Sequence, residues 1–271
     1  MRETRPDVNR SVAAKSVPAA EAALLLAVTA CPSLLIPFAD NPFEPHKAAF
    51  LWAAAVTAAA AIVCAVPRLK RLAADRPWTR WLVQVAIGSA VALVISASLS
   101  WSPALAWWGS GLRRYGGFTE LALVSVLIVA AVLVTNRTER DRLLACIVLG
   151  SVGPTVYALS QWLGVDPLAA QAKAWQRPGS TFGNPLLLSG YLAAVVPLTI
   201  AHATSRARPL QKAGGWGLVV LQVAALAAAR STGPLLAIGV AVTVVGSAVL
   251  DRKSTRLNSS HSRASRMPSS A

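Results

Sequence analysis

Long uncharged apolar stretches alternate with short polar connections through most of the chain. They are Ala19–Phe38, Ala48–Val66, Trp81–Leu99, Phe118–Val134, Leu143–Leu163, Leu186–Ala203, Trp216–Ala228 and Pro234–Leu250. A helix that crosses a bilayer needs about 20 apolar residues, and most of these runs come close to that length. None shows the period-two alternation of a membrane barrel strand, and backbone groups cannot be left unpaired in hydrocarbon, so each run is expected to be an α-helix. The pattern predicts an all-α, polytopic transmembrane helical bundle of about eight spans over residues 19–250. A basic cytoplasmic segment, 1–18, precedes it and a Ser/Arg-rich tail, 251–271, follows it.

Composition narrows the class further. Of the 271 residues 55% are hydrophobic and only 14% charged, and a soluble domain of this length would expose more charge. The three cysteines, Cys31, Cys64 and Cys146, each fall inside an apolar run without metal or redox spacing. The net charge of +15 could indicate a nucleic-acid partner, so its placement decides. Arg2, Arg5, Arg10 and Lys15 precede the first span. Arg68, Lys70, Arg71, Arg76 and Arg80 follow the second, Arg137, Arg140 and Arg142 the fourth, and Arg206, Arg208 and Lys212 the sixth. The alternate connections hold only Lys47, Arg113, Arg114, Lys173, Arg177 and Arg230. Basic loops are retained in the cytoplasm, so this asymmetry predicts a multi-pass protein with a cytoplasmic N-terminus. The charge is then explained by topology, and no nucleic-acid partner is expected. A cleaved signal peptide is disfavoured by the length of the first span and by the lack of a small-residue cleavage site before Asp40.

Ionisable side chains are scarce in the middle of the spans, where ion- and proton-coupled transporters usually place them, so attention moves to the outward connections. In the third of these, Arg177 and Pro178 lead to Gly179 and Gly183, and Asn184 then Pro185 stand in the order of an N-cap and a first helical residue. A helix N-terminus attracts anions, and Arg177 adds a bidentate phosphate donor. An ordinary interfacial turn with an Arg reaching for water would have the same composition. Arg230 repeats the arrangement, with Ser231 or Thr232 as a cap and Pro234 after it. Together the two suggest an outward site for a diphosphate or other anion. The second outward connection sets Trp101, Trp107 and Trp108 beside Arg113, Arg114 and Tyr115. This is either an interfacial aromatic belt or a surface segment contacting a lipid-linked sugar. His46, His202 and His261 lie away from the Arg177 turn in sequence, and no metal cluster, nucleophile elbow or phosphate loop is present.

The run from Arg177 to Pro185, RPGSTFGNP, with LSGYL at 188–192 and Pro197 after it, resembles the outward-loop signature of the O-antigen ligase and O-antigen polymerase family. The run from Trp108 to Phe118, WGSGLRRYGGF, is similar to a loop that family carries two spans earlier, and Ala229, Arg230 and Ser231 occupy the place of its Ser-Arg-Gly turn. Leu186 stands where many members have a second Asn. The resemblance implies a bacterial inner-membrane glycosyltransferase without metal or nucleotide cofactor. Such an enzyme moves a glycan from an undecaprenyl-diphosphate carrier to a glycan acceptor at the periplasmic face. Arg177, Arg230, Gly183, Asn184, Arg113 and Arg114 are the residues expected to bind the diphosphate or substrate. An O-antigen polymerase would use the same donor; a flippase or transporter, or a helix-packing scaffold, are the other classes. Members also carry a later periplasmic loop with a catalytic His. The tail from Asp251 resembles translated sequencing-adapter sequence, so the chain is expected to be a C-terminally truncated, inactive member, the alternative being a genuine cytoplasmic tail.

Overall fold

The computed structural model describes residues 8–37, 39, 41–74, 77–111, 114–134, 136–168, 176–234, 236, 237 and 239, with the backbone alone for 8–17, 61–74 and 77. The N-terminal residues 1–7, nearly all of the expected span Pro234–Leu250 and the tail 251–271 lie outside them. Among the described residues every regular element is helical: α1 (Val8–Ala30), α2 (Glu44–Ala74), α3 (Pro77–Ser98), α4 (Pro103–Trp108), α5 (Gly117–Leu133), α6 (Arg137–Gly150), α7 (Val152–Trp162), α8 (Pro185–Ser205) and α9 (Pro209–Ala228). Single turns of 3-10 helix occupy Cys31–Ser33 and Ser180–Phe182.

Four stretches are long and apolar enough to cross a membrane: Trp78–Ser98, Arg137–Trp162, Pro185–Ser205 and Pro209–Ala228. Pro18–Ser33 and Gly117–Leu133 are apolar but shorter. The architecture is therefore compatible with a multi-pass membrane protein, with four such helices among the described residues against the eight expected from sequence. The first expected span ends early because Pro32 interrupts the helix just after Ala30. The seventh, which starts at Trp216 by hydropathy alone, gains about two turns from Pro209, which opens the helix at its first position. α3 shows the solvent these helices suit. Only 11% of its most apolar window is buried by the rest of the chain, so most of its Val, Ile and Leu side chains, Val85, Ile87, Val91, Val94 and Ile95 among them, are exposed.

Two packed clusters organise the bundle. Ala20, Ala23 and Leu24 of α1 meet Ala58 of α2 and Val129 and Leu133 of α5. Ala158 of α7 meets Leu188 and Leu192 of α8 and Ala225, Leu226 and Ala229 at the end of α9. The α6–α7 junction joins them. Pro154 has no N–H, which releases the carbonyl of Gly150, and Ser33 Oγ donates to it at 3.2 Å. Helix α1 approaches so closely there that a Cβ on Gly150 would lie 2.5 Å from the Val28 carbonyl oxygen. Ser151 in the same junction accepts a 2.8 Å bond from Gln222 Nε2, which ties α9 to it.

Polar contacts gather at two ends of the bundle. Glu21, near the start of the first expected span, and Arg142, from the fourth connection, pair at 3.3 Å. Phe43, Lys47, Thr181, Arg177 and Ala229, from the alternate connections, meet at the other end.

Gly150→Ala should destabilise the fold by about 1–3 kcal/mol, because the methyl group meets backbone rather than a movable side chain. Gly190→Ala, whose new Cβ meets nothing within 4 Å, should leave it unchanged or slightly firmer. Thermal unfolding in detergent compares them, and equal midpoints would remove the close approach from the account.

Candidate anion site at the outward end

The segment 176–184 crosses the end of the bundle as a loop whose middle is buried rather than solvated. Pro178, Gly179, Ser180 and Thr181 are all buried, with Ser180 fully so. A buried loop must find partners for its polar groups elsewhere, and this one takes them from four other elements. The N–H of Ser180 donates to Gln161 Oε1 at 2.8 Å and its hydroxyl to the Pro154 carbonyl at 2.6 Å, both on α7. The Thr181 hydroxyl donates to the Pro32 carbonyl after α1 at 2.6 Å, and Lys47 Nζ of α2 donates to the Thr181 carbonyl at 2.6 Å. Arg177 Nε donates to the Ala229 carbonyl after α9 at 3.3 Å.

That last contact ties Arg177 to the turn that carries the second predicted arginine. Ala229 is fully buried at the end of α9 and Arg230 follows it on the surface, so the exposed guanidinium of Arg177 rests against the turn that presents Arg230. Ser231 fastens the same turn to the start of α8, its hydroxyl standing 3.5 Å from the Pro185 carbonyl. The hydroxyl also stands 3.4 Å from the Ala229 carbonyl, so it serves the turn rather than the helix that begins at Thr232.

The start of α8 has the expected form. Asn184 is extended, its side chain accepts from the Leu186 N–H at 2.8 Å, and Pro185 follows at the first helical position. The cap has a consequence that composition hides. Pro185 has no N–H and Leu186 has given its own to Asn184, so the helix end keeps its positive dipole but few free amides. Anion binding here falls mainly to the arginines. Gly183 turns left-handed at φ 63°, and a Cβ would lie 2.5 Å from the Phe43 ring, so the first outward connection packs on it directly.

Arg114 is exposed in a different neighbourhood. Its carbonyl accepts from Thr119 Oγ1 at 2.6 Å, and Thr119 accepts from Trp52 Nε1 at 3.0 Å, within the cluster of Trp52, Trp107, Trp108 and Phe118. The short helix α4 gives this connection a structured surface segment. The structure thus assigns Arg114 to the α2–α4–α5 corner and not to the Arg177 turn. Arg113 lies outside the described residues.

Three non-glycine residues have positive φ among the described residues: Arg114 at 56°, Ser180 at 51° and Arg230 at 48°. Side chains rarely hold that conformation, and it collects where function requires it. All three lie in outward connections, and two are arginines already singled out from sequence.

Lys47 is the residue that sequence reasoning passed over. Counted there only as one outward charge, it is buried immediately before the apolar run that begins at Ala48, and its ammonium also stands 4.1 Å from the centre of the Phe182 ring. Its one available signal is position, a lone Lys at the mouth of a span. Burial lowers its pKa from the usual 10.5 to about 8, against smaller opposing pulls from Cys31 and Glu44. No group of three or more His, Cys, Asp or Glu among the described residues could hold a metal ion. What the end of the bundle presents is two exposed arginines, one bonded to the turn that carries the other. No family model, curated protein or solved structure matches the chain.

The depressed Lys47 pKa has a definite sign. Between pH 8 and 10.5 the unfolded chain keeps a proton that the folded protein releases, so folding stability should rise with pH across that window. Unfolding midpoints measured at a series of pH values should show this rise in the wild type and lose it in Lys47→Met. Superimposable profiles would mean that Lys47 is not the group responsible.

Proposed function

We propose that the protein is an O-antigen ligase-like membrane glycosyltransferase. It moves a glycan from an undecaprenyl-diphosphate carrier to an acceptor at the periplasmic face of the bacterial inner membrane, with its N-terminus in the cytoplasm. The observation that carries this reading is the 3.3 Å bond from Arg177 to the Ala229 carbonyl, which seats one exposed guanidinium against the turn bearing the other. The two residues are 53 apart in sequence, and each precedes its own helix start.

The chemistry follows from where charge develops. As the bond between the sugar and the diphosphate breaks, the leaving oxygen gains negative charge, and donors already in place stabilise that change more than they stabilise bound substrate. Two planar guanidiniums suit the several oxygens of a diphosphate, each charge-assisted bond contributing about 1.5 to 3 kcal/mol. Asn184 and Gly183 shape the positive end of α8 beside them. Arg114 belongs to the aromatic corner, where rings and its guanidinium would meet the glycan or the lipid headgroup region.

Binding of undecaprenyl diphosphate to the full chain in lipid nanodiscs tests this directly. Arg177→Ala and Arg230→Ala should each weaken binding by about tenfold or more, and Lys at either position should restore only part, since it keeps charge without the two-point geometry. Arg114→Ala should cost less. Arg230→Gly should also bind weakly, yet unfold no earlier than wild type because glycine accepts the left-handed backbone freely. Unchanged affinity in Arg177→Ala would mean that the turn is structural.

Orientation has its own measurement. With the three native cysteines replaced, Asn184→Cys should react with an impermeant thiol reagent added to intact spheroplasts and Ala74→Cys should not. The reverse labelling inverts the topology.

A further inference from the structure

A carboxylate that the function does not use lies behind the arginine turn. Asp166, half-buried in the connection after α7, accepts from Tyr157 Oη at 2.7 Å and from the Leu168 N–H at 3.2 Å through one oxygen. The other oxygen accepts from Gln161 Nε2 at 3.3 Å. Gln161 is 1% exposed, and its amide oxygen accepts the Ser180 N–H at 2.8 Å. We propose that Asp166 and Gln161 form a positioning relay that holds Ser180 in its left-handed conformation and thereby sets Arg177 against the Arg230 turn; the ligand side of this inference rests on the diphosphate reading.

The direction of the relay follows from donor and acceptor chemistry. An ionised carboxylate only accepts, so it compels the Gln161 NH2 to face it. The amide oxygen is then turned toward Ser180, where a buried N–H needs an acceptor. Were the amide reversed, its NH2 would meet the Ser180 N–H, donor against donor, and its oxygen would meet the carboxylate. Tyr157, which spends its hydroxyl proton on the same carboxylate, keeps Asp166 in place one helical turn before Gln161. The charge therefore selects one of two amide orientations, and that orientation selects the backbone.

Ser180 is where the backbone needs such help. Its φ of 51° is unfavourable for a residue with a Cβ, and it occupies the first position of the 3-10 turn Ser180–Phe182. Arg177 lies three residues before it and Asn184 four residues after it. A shift at Ser180 to the ordinary right-handed region would redirect both flanks, taking the guanidinium from the Ala229 carbonyl and the cap from α8. Ser180 Oγ, donating to the Pro154 carbonyl, pins the residue to α7 but leaves its φ open. The N–H bond to Gln161 fixes the amide plane from which φ is measured, and only with that plane fixed does the Oγ anchor on the other side of N–Cα hold the rotation.

Two readouts on the full chain in nanodiscs separate this inference from the functional reading. Hydrogen exchange of the segment 178–184 needs no ligand. It should be slow in wild type and at least about tenfold faster in Gln161→Met, which retains volume but removes both amide contacts. Asp166→Asn, which leaves Gln161 free to turn over, should show a smaller acceleration and keeps the test open if Gln161→Met does not fold. Undecaprenyl diphosphate affinity should fall in parallel, by roughly five-fold or more in Gln161→Met. Adding Ser180→Gly to Gln161→Met should recover most of that affinity, because glycine holds a positive φ without the relay. A residue that only stabilised the bundle would not be rescued in this way. Wild-type exchange in both Gln161→Met and Asp166→Asn, or no recovery on adding Ser180→Gly, would overturn the relay. Lost affinity in these variants beside unchanged affinity in Arg177→Ala would leave the relay standing and remove the diphosphate reading instead.

Discussion

The end of the bundle that carries Arg177 depends on one requirement, that a loop buried among apolar helices must have its polar groups bonded. Ser180 and Thr181 cannot turn to water, and an unpaired backbone group in such surroundings carries a penalty of about 1–3 kcal/mol. Their partners come from the end of α1, the start of α2, and two turns of α7. The loop is therefore the place where the two apolar clusters of the bundle are held in register. Helices whose outer faces are all apolar have little other means of choosing a rotation, because lipid-like surroundings accept any apolar face equally well.

The arginines inherit their positions from that loop. Arg177 emerges from its N-terminal side and α8 from its C-terminal side, while the Ala229 carbonyl at the end of α9 receives the Arg177 side chain. The guanidiniums remain exposed although the backbone between them is packed. This combination suits a site that must be rigid and still reach a charged ligand at the membrane surface. Positive φ at Ser180 and Arg230 belongs to the same design, since a backbone conformation that the free chain avoids persists only where its surroundings over-determine it.

Prolines and glycines, often read only as breaks, here create the bonding sites. Pro154 frees the Gly150 carbonyl for Ser33, and the lack of a side chain at Gly150 lets α1 come close enough to use it. Gly183 does the same for the Phe43 ring at the other end. Pro185, by having no N–H, leaves Asn184 with a single cap bond to make, to the Leu186 N–H.

The sequence by itself determined the helical class and the presence of apolar helices long enough to cross a membrane, four of them among the described residues. Those properties depend on hydropathy over some twenty residues, which is additive along the chain. It also marked Arg177, Asn184 and Arg230, because a cap, a proline and an arginine are local signals. Only the tertiary structure decided that Arg177 reaches the Arg230 turn while Arg114 goes elsewhere, that α1 stops at Ala30, and that Lys47, Gln161 and Asp166 stand behind the loop. The last three are single polar residues at the edges of apolar runs, with no periodicity to identify them. Their importance comes from which buried carbonyl or N–H they meet, and that partner lies up to 134 residues away in the chain.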